Sequence, residues 1–166
     1  SNTRDGPLPE DTKISRGEKI AFLKQTLDNI FPEGTAGLSC EQKALEILRF
    51  TSSHHTLRQN NGTATNIIKE GHASCGGLSR VFRELSRAAD IPSRRAFIHG
   101  TIEMRTHSAN EVHCAGGWRY MDPTFGVFFY SAPSPSAPGE ILSLKDIVAA
   151  PEEAYMMKAV EAPWRG

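Results

Sequence analysis

Hydrophobic residues recur at helical spacing in the first half of the chain. This spacing predicts a helix over residues 17–31, ended by Pro32. A second helix is predicted from Ser39, because Ser39 and Gln42 form a capping box. A third is predicted from Cys75 onward. The apolar positions of the three helices are Ile20, Leu23, Leu27 and Ile30, then Ala44, Leu45, Ile47, Leu48 and Phe50, then Leu78, Val81, Phe82, Leu85 and Ala89.

After Pro92 the pattern changes to short segments rich in β-forming residues and separated by glycines. Residues 51–66 are polar and residues 131–139 are rich in proline, so both predict loops. Helices first and strands second predict an α+β fold, with N-terminal helices packed on an antiparallel sheet. The predicted strands are residues 95–98, 108–114, 118–121 and 127–130.

The length of 166 residues fits one domain. We expect residues 1–15 to be a tail or linker and residues 16–166 to form the single domain. Formal net charge is zero, which gives no indication of a nucleic-acid groove or an anionic membrane surface. No apolar run is long enough to span a bilayer. The chain begins at Ser1, so compartment is left open; an exported or periplasmic location follows if an N-terminal segment was removed.

Three widely spaced cysteines, Cys40, Cys75 and Cys114, predict no disulfide framework and at least one free thiol. Cys75 is the candidate for chemistry, because it stands at the start of a predicted helix. Unpaired backbone N–H groups and the positive end of the helix dipole favour its thiolate there. The same N–H groups can hold the oxyanion that forms when a thiolate attacks a carbonyl. Taken alone, a small buried residue at a tight turn would be the simpler interpretation of Cys75.

A predicted hairpin over residues 107–126 carries the second half of the candidate site. Any two-residue turn there sets His107 and Asp122 on one face of the sheet. A turn at Cys114-Ala115 would put them directly opposite, whereas a turn at Gly116-Gly117 would stagger them by four residues. Both arrangements stay open at this stage. If the two meet, the aspartate fixes the imidazole tautomer and the histidine exchanges the proton of a thiol.

Four short motifs in chain order make the sequence similar to the transglutaminase-like family. They are GHASCGG at 71–77, DIPSR at 90–94, HSANEV at 107–112 and GWRYMDPT at 117–124. The resemblance implies a papain-like fold and a catalytic triad, with Cys75 as nucleophile, His107 as general base and acid, and Asp122 as the orienting carboxylate. It also implies a structural role for Arg94 and Glu111. The family includes protein-crosslinking enzymes, peptide N-glycanases and bacterial proteases or amidases.

The sequence departs from crosslinking members where they carry aromatic residues. Gly76 follows the cysteine, and Ala109 and Asn110 stand where tryptophan is frequent after the histidine. We therefore expect an open, polar approach in which water resolves the thioester more often than an amine does. The alternative is that Phe125 or Phe128 supplies the aromatic surface from a later strand.

The predicted function is that of a cysteine-dependent hydrolase or acyltransferase acting on amide or acyl carbonyls of a peptide, protein or other amide-bearing substrate, with no cofactor and no metal. Two rivals are an arylamine N-acetyltransferase-like enzyme and a non-catalytic binding scaffold. A metal site of His99, His113 and Cys114 is disfavoured, because alternating strand residues face opposite sides. His54 and His55 are expected at the surface. Candidates for a second oxyanion donor are Gln59, Asn60 and Asn66.

Overall fold

Helices occupy the first half of the chain and strands most of the second, which confirms the predicted α+β class. The structure, a computed structural model, describes residues 14–60, 62–99, 106–131 and 139–162. In these ranges the α-helices are α1 (Arg16–Ile30), α2 (Cys40–Ser53), α3 (Ala64–Glu70), α4 (Cys75–Ala88) and α5 (Leu144–Ala149). The strands are β1 (Thr56–Leu57), β2 (His72–Ala73), β3 (Ser93–His99), β4 (Thr106–Cys114), β5 (Gly117–Asp122), β6 (Val127–Ser131) and β7 (Ala154–Lys158). Two 3₁₀ helices cover Pro151–Glu153 and Ala159–Glu161.

Polar side chains define where the helices begin. Ser39 accepts a hydrogen bond from the Gln42 backbone, and the Gln42 side chain accepts one from the Ser39 N–H. The predicted capping box is therefore confirmed, and Ser15 with Glu18 forms another at α1. Such caps satisfy backbone N–H groups that a helix start leaves unpaired, each contributing about 1 kcal/mol.

Strands β3 to β7 form a fully antiparallel sheet in the order β3-β4-β5-β6-β7. One face packs under α1, α2 and α4 and holds the main core. The fully buried members of that core include Leu45, Leu48, Phe82 and Leu85 from the helices and Val112, Met121 and Phe128 from the strands. Each such side chain contributes about 1.5–3 kcal/mol through burial. The other face carries a smaller cluster, in which Ala96, Ala109 and Tyr120 meet Leu144 and Ile147.

A disulfide joins Cys40 to Cys114, so the expectation of no disulfide framework is wrong. The two cysteines are 74 residues apart in sequence, yet their Cα atoms are 5.5 Å apart. They meet because the first turn of α2 packs beside the end of β4, a tertiary contact that cysteine spacing does not encode. The prediction of a free thiol is confirmed, and it is Cys75.

The predicted loop over residues 51–66 contains more structure than expected. Helix α2 continues to Ser53, β1 pairs in parallel with β2, and α3 begins at Ala64. Thr63 caps α3, whose seven residues are too few to show a helical period. The predicted tail or linker lies outside the described residues over 1–13, as does the 131–139 loop over 132–138. In the described part of the chain, no helix has the length and apolar character needed to cross a bilayer.

Candidate active site

Cys75 is the first residue of α4, as predicted, and the residue is partly exposed. The backbone of Ser74, the residue before it, accepts the N–H of Leu78, while the Ser74 side chain makes no capping hydrogen bond. The N–H groups of the first turn therefore receive no capping hydrogen bond from the Ser74 side chain. Such groups, at the positive end of the helix dipole, suit a thiolate and an oxyanion.

The two glycines after Cys75 have different physical roles. A Cβ at Gly76 would meet no atom of the described residues within 4 Å outside its own stretch of helix, so this position borders open space. A Cβ at Gly77 would lie 2.7 Å from the Ala73 side chain and 3.0 Å from the Asn60 carbonyl oxygen. Gly77 is thus required for close packing, whereas Gly76 is not.

The hairpin that carries His107 and Asp122 turns between the two positions considered from sequence. Cys114 pairs with Gly117, so the turn residues are Ala115 and Gly116, both with positive φ. Continuing this register sets Asp122 opposite Ala109, two residues from His107 on the same face. The two therefore lie on one face, as predicted for any two-residue turn, and they meet along a diagonal because the turn falls between the two positions considered.

His107 and Asp122 form a buried pair. Nε2 of His107 lies 2.6 Å from Oδ2 of Asp122. The other carboxylate oxygen, Oδ1, accepts hydrogen bonds from the backbone N–H groups of Thr124, at 2.9 Å, and Phe125, at 3.4 Å. These contacts hold the carboxylate in place and leave Nδ1 of the imidazole outside the pair. This arrangement suits an imidazole that exchanges a proton through Nδ1.

Tyr120 adds a further donor to Asp122. Its hydroxyl lies 3.4 Å from Oδ2, on the same face of β5. Burial, followed by the negative charge of Asp122, raises the pKa of Tyr120 well above its usual value. The phenol therefore stays protonated at neutral pH and can donate to the carboxylate.

Hydrogen bonds fix the first turns of α4 against the strand that carries His107. The Ser79 hydroxyl donates to the Ser108 carbonyl at 2.8 Å, and the Asn110 amide donates to the Ser79 carbonyl at 3.0 Å. Ser79 lies four residues after Cys75 and so shares its side of the helix. Among the described residues no hydrogen bond joins the Cys75 thiol to His107, and that pairing stays a prediction.

The aromatic residue beside the histidine is Phe125. Its ring centroid lies 5.5 Å from that of His107, and the side chain is 57% exposed. Phe128, the other sequence candidate, is fully buried in the main core. Ala109 and Asn110 are fully buried as well. The expectation that these two residues open the approach is therefore wrong, because the first packs under α5 and the second binds α4.

Several other residues singled out from sequence have structural roles. The Arg94 guanidinium donates two hydrogen bonds to one oxygen of Glu111, at 2.9 and 3.1 Å, and the other oxygen accepts the N–H of Leu144. The expected structural role of this pair is confirmed, since it ties β3, β4 and α5 together.

The Asn60 amide, a candidate for the second oxyanion donor, donates to the Glu70 carboxylate and the His72 carbonyl, so it braces the loop before α3.

Among the other candidates, His55 is buried, so the surface prediction fails for it and holds for His54. The Nδ1 atom of His55 lies 2.8 Å from the Thr51 carbonyl, and burial lowers its pKa. The Cys114 sulfur is in the disulfide and cannot serve a metal as a thiolate.

The comparisons with known proteins agree with this fold. Residues 32–123, more than half of the chain, match the transglutaminase-like superfamily. The chain therefore belongs to the transglutaminase-like superfamily, which at family level supports a cysteine-type enzyme. No curated protein sequence gives a significant match.

Two solved structures share the fold. One, a candidate cysteine protease from Cytophaga hutchinsonii, is 17% identical, with a TM-score of 0.52, and the match covers 91% of this chain and 54% of that one. The other, a TGase, is 16% identical, with a TM-score of 0.51, and the match covers 69% and 34%. The chain thus spans about half the length of the first protein and about a third of the second.

Proposed function

We propose that the chain is a cysteine enzyme that cleaves amide or acyl bonds of peptide or protein substrates, with Cys75, His107 and Asp122 as its triad. The observation that carries the proposal is the buried His107–Asp122 pair, on a strand fixed to the helix that Cys75 begins. A buried imidazole held by an ionised carboxylate is suited to proton exchange in acyl transfer.

In the first half-reaction the Cys75 thiol passes its proton to Nδ1 of His107. The sulfur then attacks the carbonyl carbon, and the C=O electron pair moves onto oxygen. Backbone N–H groups at the start of α4 stabilise this oxyanion. The carbon–nitrogen bond breaks, the leaving amine takes the proton from His107, and the acyl group remains on Cys75 as a thioester.

In the second half-reaction water gives a proton to His107 and attacks the thioester carbon. The tetrahedral intermediate collapses to a carboxylic acid, and the Cys75 sulfur recovers its proton. Asp122 stabilises the imidazolium that forms in both halves. All of these steps use side chains and backbone groups of this chain.

Transfer to an amine is the second candidate function, and Phe125 is the observation that favours it. An exposed ring beside the histidine can hold the apolar part of an amine and exclude water from the thioester. We retain hydrolysis as the main proposal, because Gly76 borders open space on the cysteine side. Comparison of acid and amide products at millimolar amine separates the two, and Phe125→Ala should lower the amide share if transfer operates.

The proposal is tested by mass spectrometry of the intact chain after incubation with activated acyl esters and a peptide library. We expect an acyl adduct on Cys75 in the wild type that forms far more slowly in Asp122→Asn and is absent from Cys75→Ala. Cys75→Ala is the matched control, since it removes the sulfur alone. Absence of any adduct on Cys75, together with equal labelling of the wild type and the His107→Ala variant by a thiol probe, would support a non-catalytic binding scaffold instead.

A further inference from the structure

Strand β3 exposes part of its backbone at the edge of the sheet. In the sheet formed by the described residues it pairs with β4 alone. The His113 N–H donates to the Pro92 carbonyl, which marks these two residues as a hydrogen-bonded pair. Because such pairs alternate along an antiparallel ladder, the N–H and C=O groups of Arg95 and Phe97 point away from β4. They can therefore pair with another extended chain.

Four arginines lie on this edge strand or on one side of the neighbouring helix α4. They are Arg80, Arg83 and Arg87 on one side of α4 and Arg95 on β3. The pKa of Arg83 is lowered, first by burial and then by the positive charges of its neighbours Arg95 and Arg87. Within the part of the chain that the structure describes, none of the four forms an ion pair, and the adjacent Glu84 binds Lys19 instead. Arg80, Arg83 and Arg87 each donate a hydrogen bond to an uncharged oxygen, of Gly62, Asn110 and Ser93 respectively. Their positive charge is therefore not neutralised and can attract an acidic partner.

Helix α4 and strand β3 run side by side in opposite directions. Near the start of the helix, Ser79 donates to Ser108, and Ser108 is the register partner of Phe97. Near its end, the Arg87 side chain donates to the Ser93 carbonyl at 2.9 Å. The strand therefore runs from the end of α4 back toward its beginning.

This alignment leads the free edge toward Cys75. Cys75 lies about 6 Å before Ser79 along the helix, and His99 lies about 6–7 Å beyond Phe97 along the strand. The end of β3 is therefore level with the thiol. A chain paired along β3 would therefore run alongside α4 and end level with its start.

We propose that this surface, made of Arg80, Arg83, Arg87, Arg95, Phe97 and His99 and called here the β3 edge surface, binds an acidic extended segment of the peptide substrate as an additional strand. Backbone groups of Arg95 and Phe97 pair with the segment, and the arginines contact its acidic side chains. The Phe97 ring, 47% exposed, contacts the apolar part. The inference rests on the proposed function, since it assigns the substrate class and its direction of approach.

Binding is measured on the Cys75→Ser variant, so that no chemistry is required. The probe is a fluorescein-labelled nine-residue peptide of alternating Glu and Val, and its control carries Lys in place of Glu. We expect the Glu peptide to bind, with an affinity that falls as salt rises, and the Lys peptide not to bind. Arg95→Glu should weaken binding about tenfold or more, whereas Arg16→Glu on α1 should leave it unchanged. Equal melting temperatures of the two variants show that both are folded.

Backbone pairing is tested with N-methylated versions of the same peptide. In a paired strand every second backbone amide points toward β3. Methylation of these amides should abolish binding, and methylation of the amides between them should leave binding intact. Equal effects of the two sets, equal affinity for the Glu and Lys peptides, or self-association of the chain through β3 without peptide binding would overturn the inference.

The same assay separates this inference from the proposed function. Acylation of Cys75 without binding of the Glu peptide overturns the inference alone. Binding of the Glu peptide by a chain whose Cys75 forms no acyl adduct supports the inference and overturns the proposed function.

Discussion

Nε2 of His107 and Oδ2 of Asp122 are 2.6 Å apart, although the hairpin register sets the two residues two positions out of line. The contact is diagonal across β4 and β5, and backbone N–H groups of the following turn hold the other carboxylate oxygen. The carboxylate therefore occupies Nε2 of the imidazole and leaves Nδ1 for other contacts.

Asp122→Asn should keep the fold and remove most of the activity. The amide can donate to Nε2 and so favours the wrong imidazole tautomer, and it carries no charge to stabilise the imidazolium. We expect kcat/KM to fall by about 10³–10⁴-fold. Tyr120→Phe is the matched control, because it removes one long hydrogen bond to the same oxygen and should cost tenfold or less. Equal losses in the two variants would contradict the role assigned to Asp122.

Replacement of each glycine by alanine should separate packing from substrate access. Gly77→Ala should lower the free energy of unfolding by about 1–3 kcal/mol, because its Cβ overlaps the Ala73 side chain. Gly76→Ala should leave stability within about 0.5 kcal/mol and reduce acylation of Cys75, because its methyl group fills the space beside the thiol. Urea unfolding and acylation rates check both. A destabilised Gly76→Ala variant with a normal acylation rate would contradict this assignment.

The disulfide should stabilise the fold without serving the chemistry. Closing a loop of 74 residues is expected to contribute about 4 kcal/mol. The Cys40→Ser, Cys114→Ser double variant should lose about that much and keep Cys75 reactive. Thiol titration should find one free thiol per native chain and three after reduction. Disulfides persist in oxidising compartments, so this result would favour an exported protein. Three free thiols in the native chain would contradict the pairing.

His55 should make stability depend on pH. Burial lowers its folded-state pKa below the unfolded value of about 6.5, so the unfolded chain binds more protons between the two values. The free energy of unfolding is therefore not reduced by His55 above about pH 6.5, and it decreases as pH falls toward the folded-state pKa of His55. His55→Gln should lose less stability than the wild type between about pH 7.5 and 5.5. His54→Gln, at the exposed neighbour, should behave like the wild type. Identical pH profiles of all three chains would contradict this prediction.

The sequence predicts those parts of the fold that long periodic segments and local capping define. The three long helices lie where the apolar spacing around Leu23 and Phe82 and the cap at Ser39 predict them. The four predicted strand segments fall within β3 to β6. Any two-residue turn sets His107 and Asp122 on one face of the sheet, and their meeting is what the family resemblance implies.

What the sequence does not predict depends on tertiary contacts. The turn at Ala115-Gly116 differs by one residue from each proposed position, and alternating strand patterns cannot fix a register that finely. The Cys40–Cys114 bridge needs α2 to pack against β4, and the burial of Asn110 needs α4 to lie over that strand. The sequence identifies Phe125 as a candidate aromatic residue but does not predict its position, because its contact with His107 depends on the turn after Asp122.

The most direct test of the triad is the rate at which iodoacetamide alkylates Cys75 at neutral pH, compared between the wild type and His107→Ala. If His107 accepts the thiol proton, the wild type should react at least about tenfold faster than the variant. His113→Ala is the control and should react like the wild type, since His113 packs against Trp118 at the hairpin end of the sheet. Equal alkylation rates in the wild type and in a folded His107→Ala variant would contradict the pairing of Cys75 with His107.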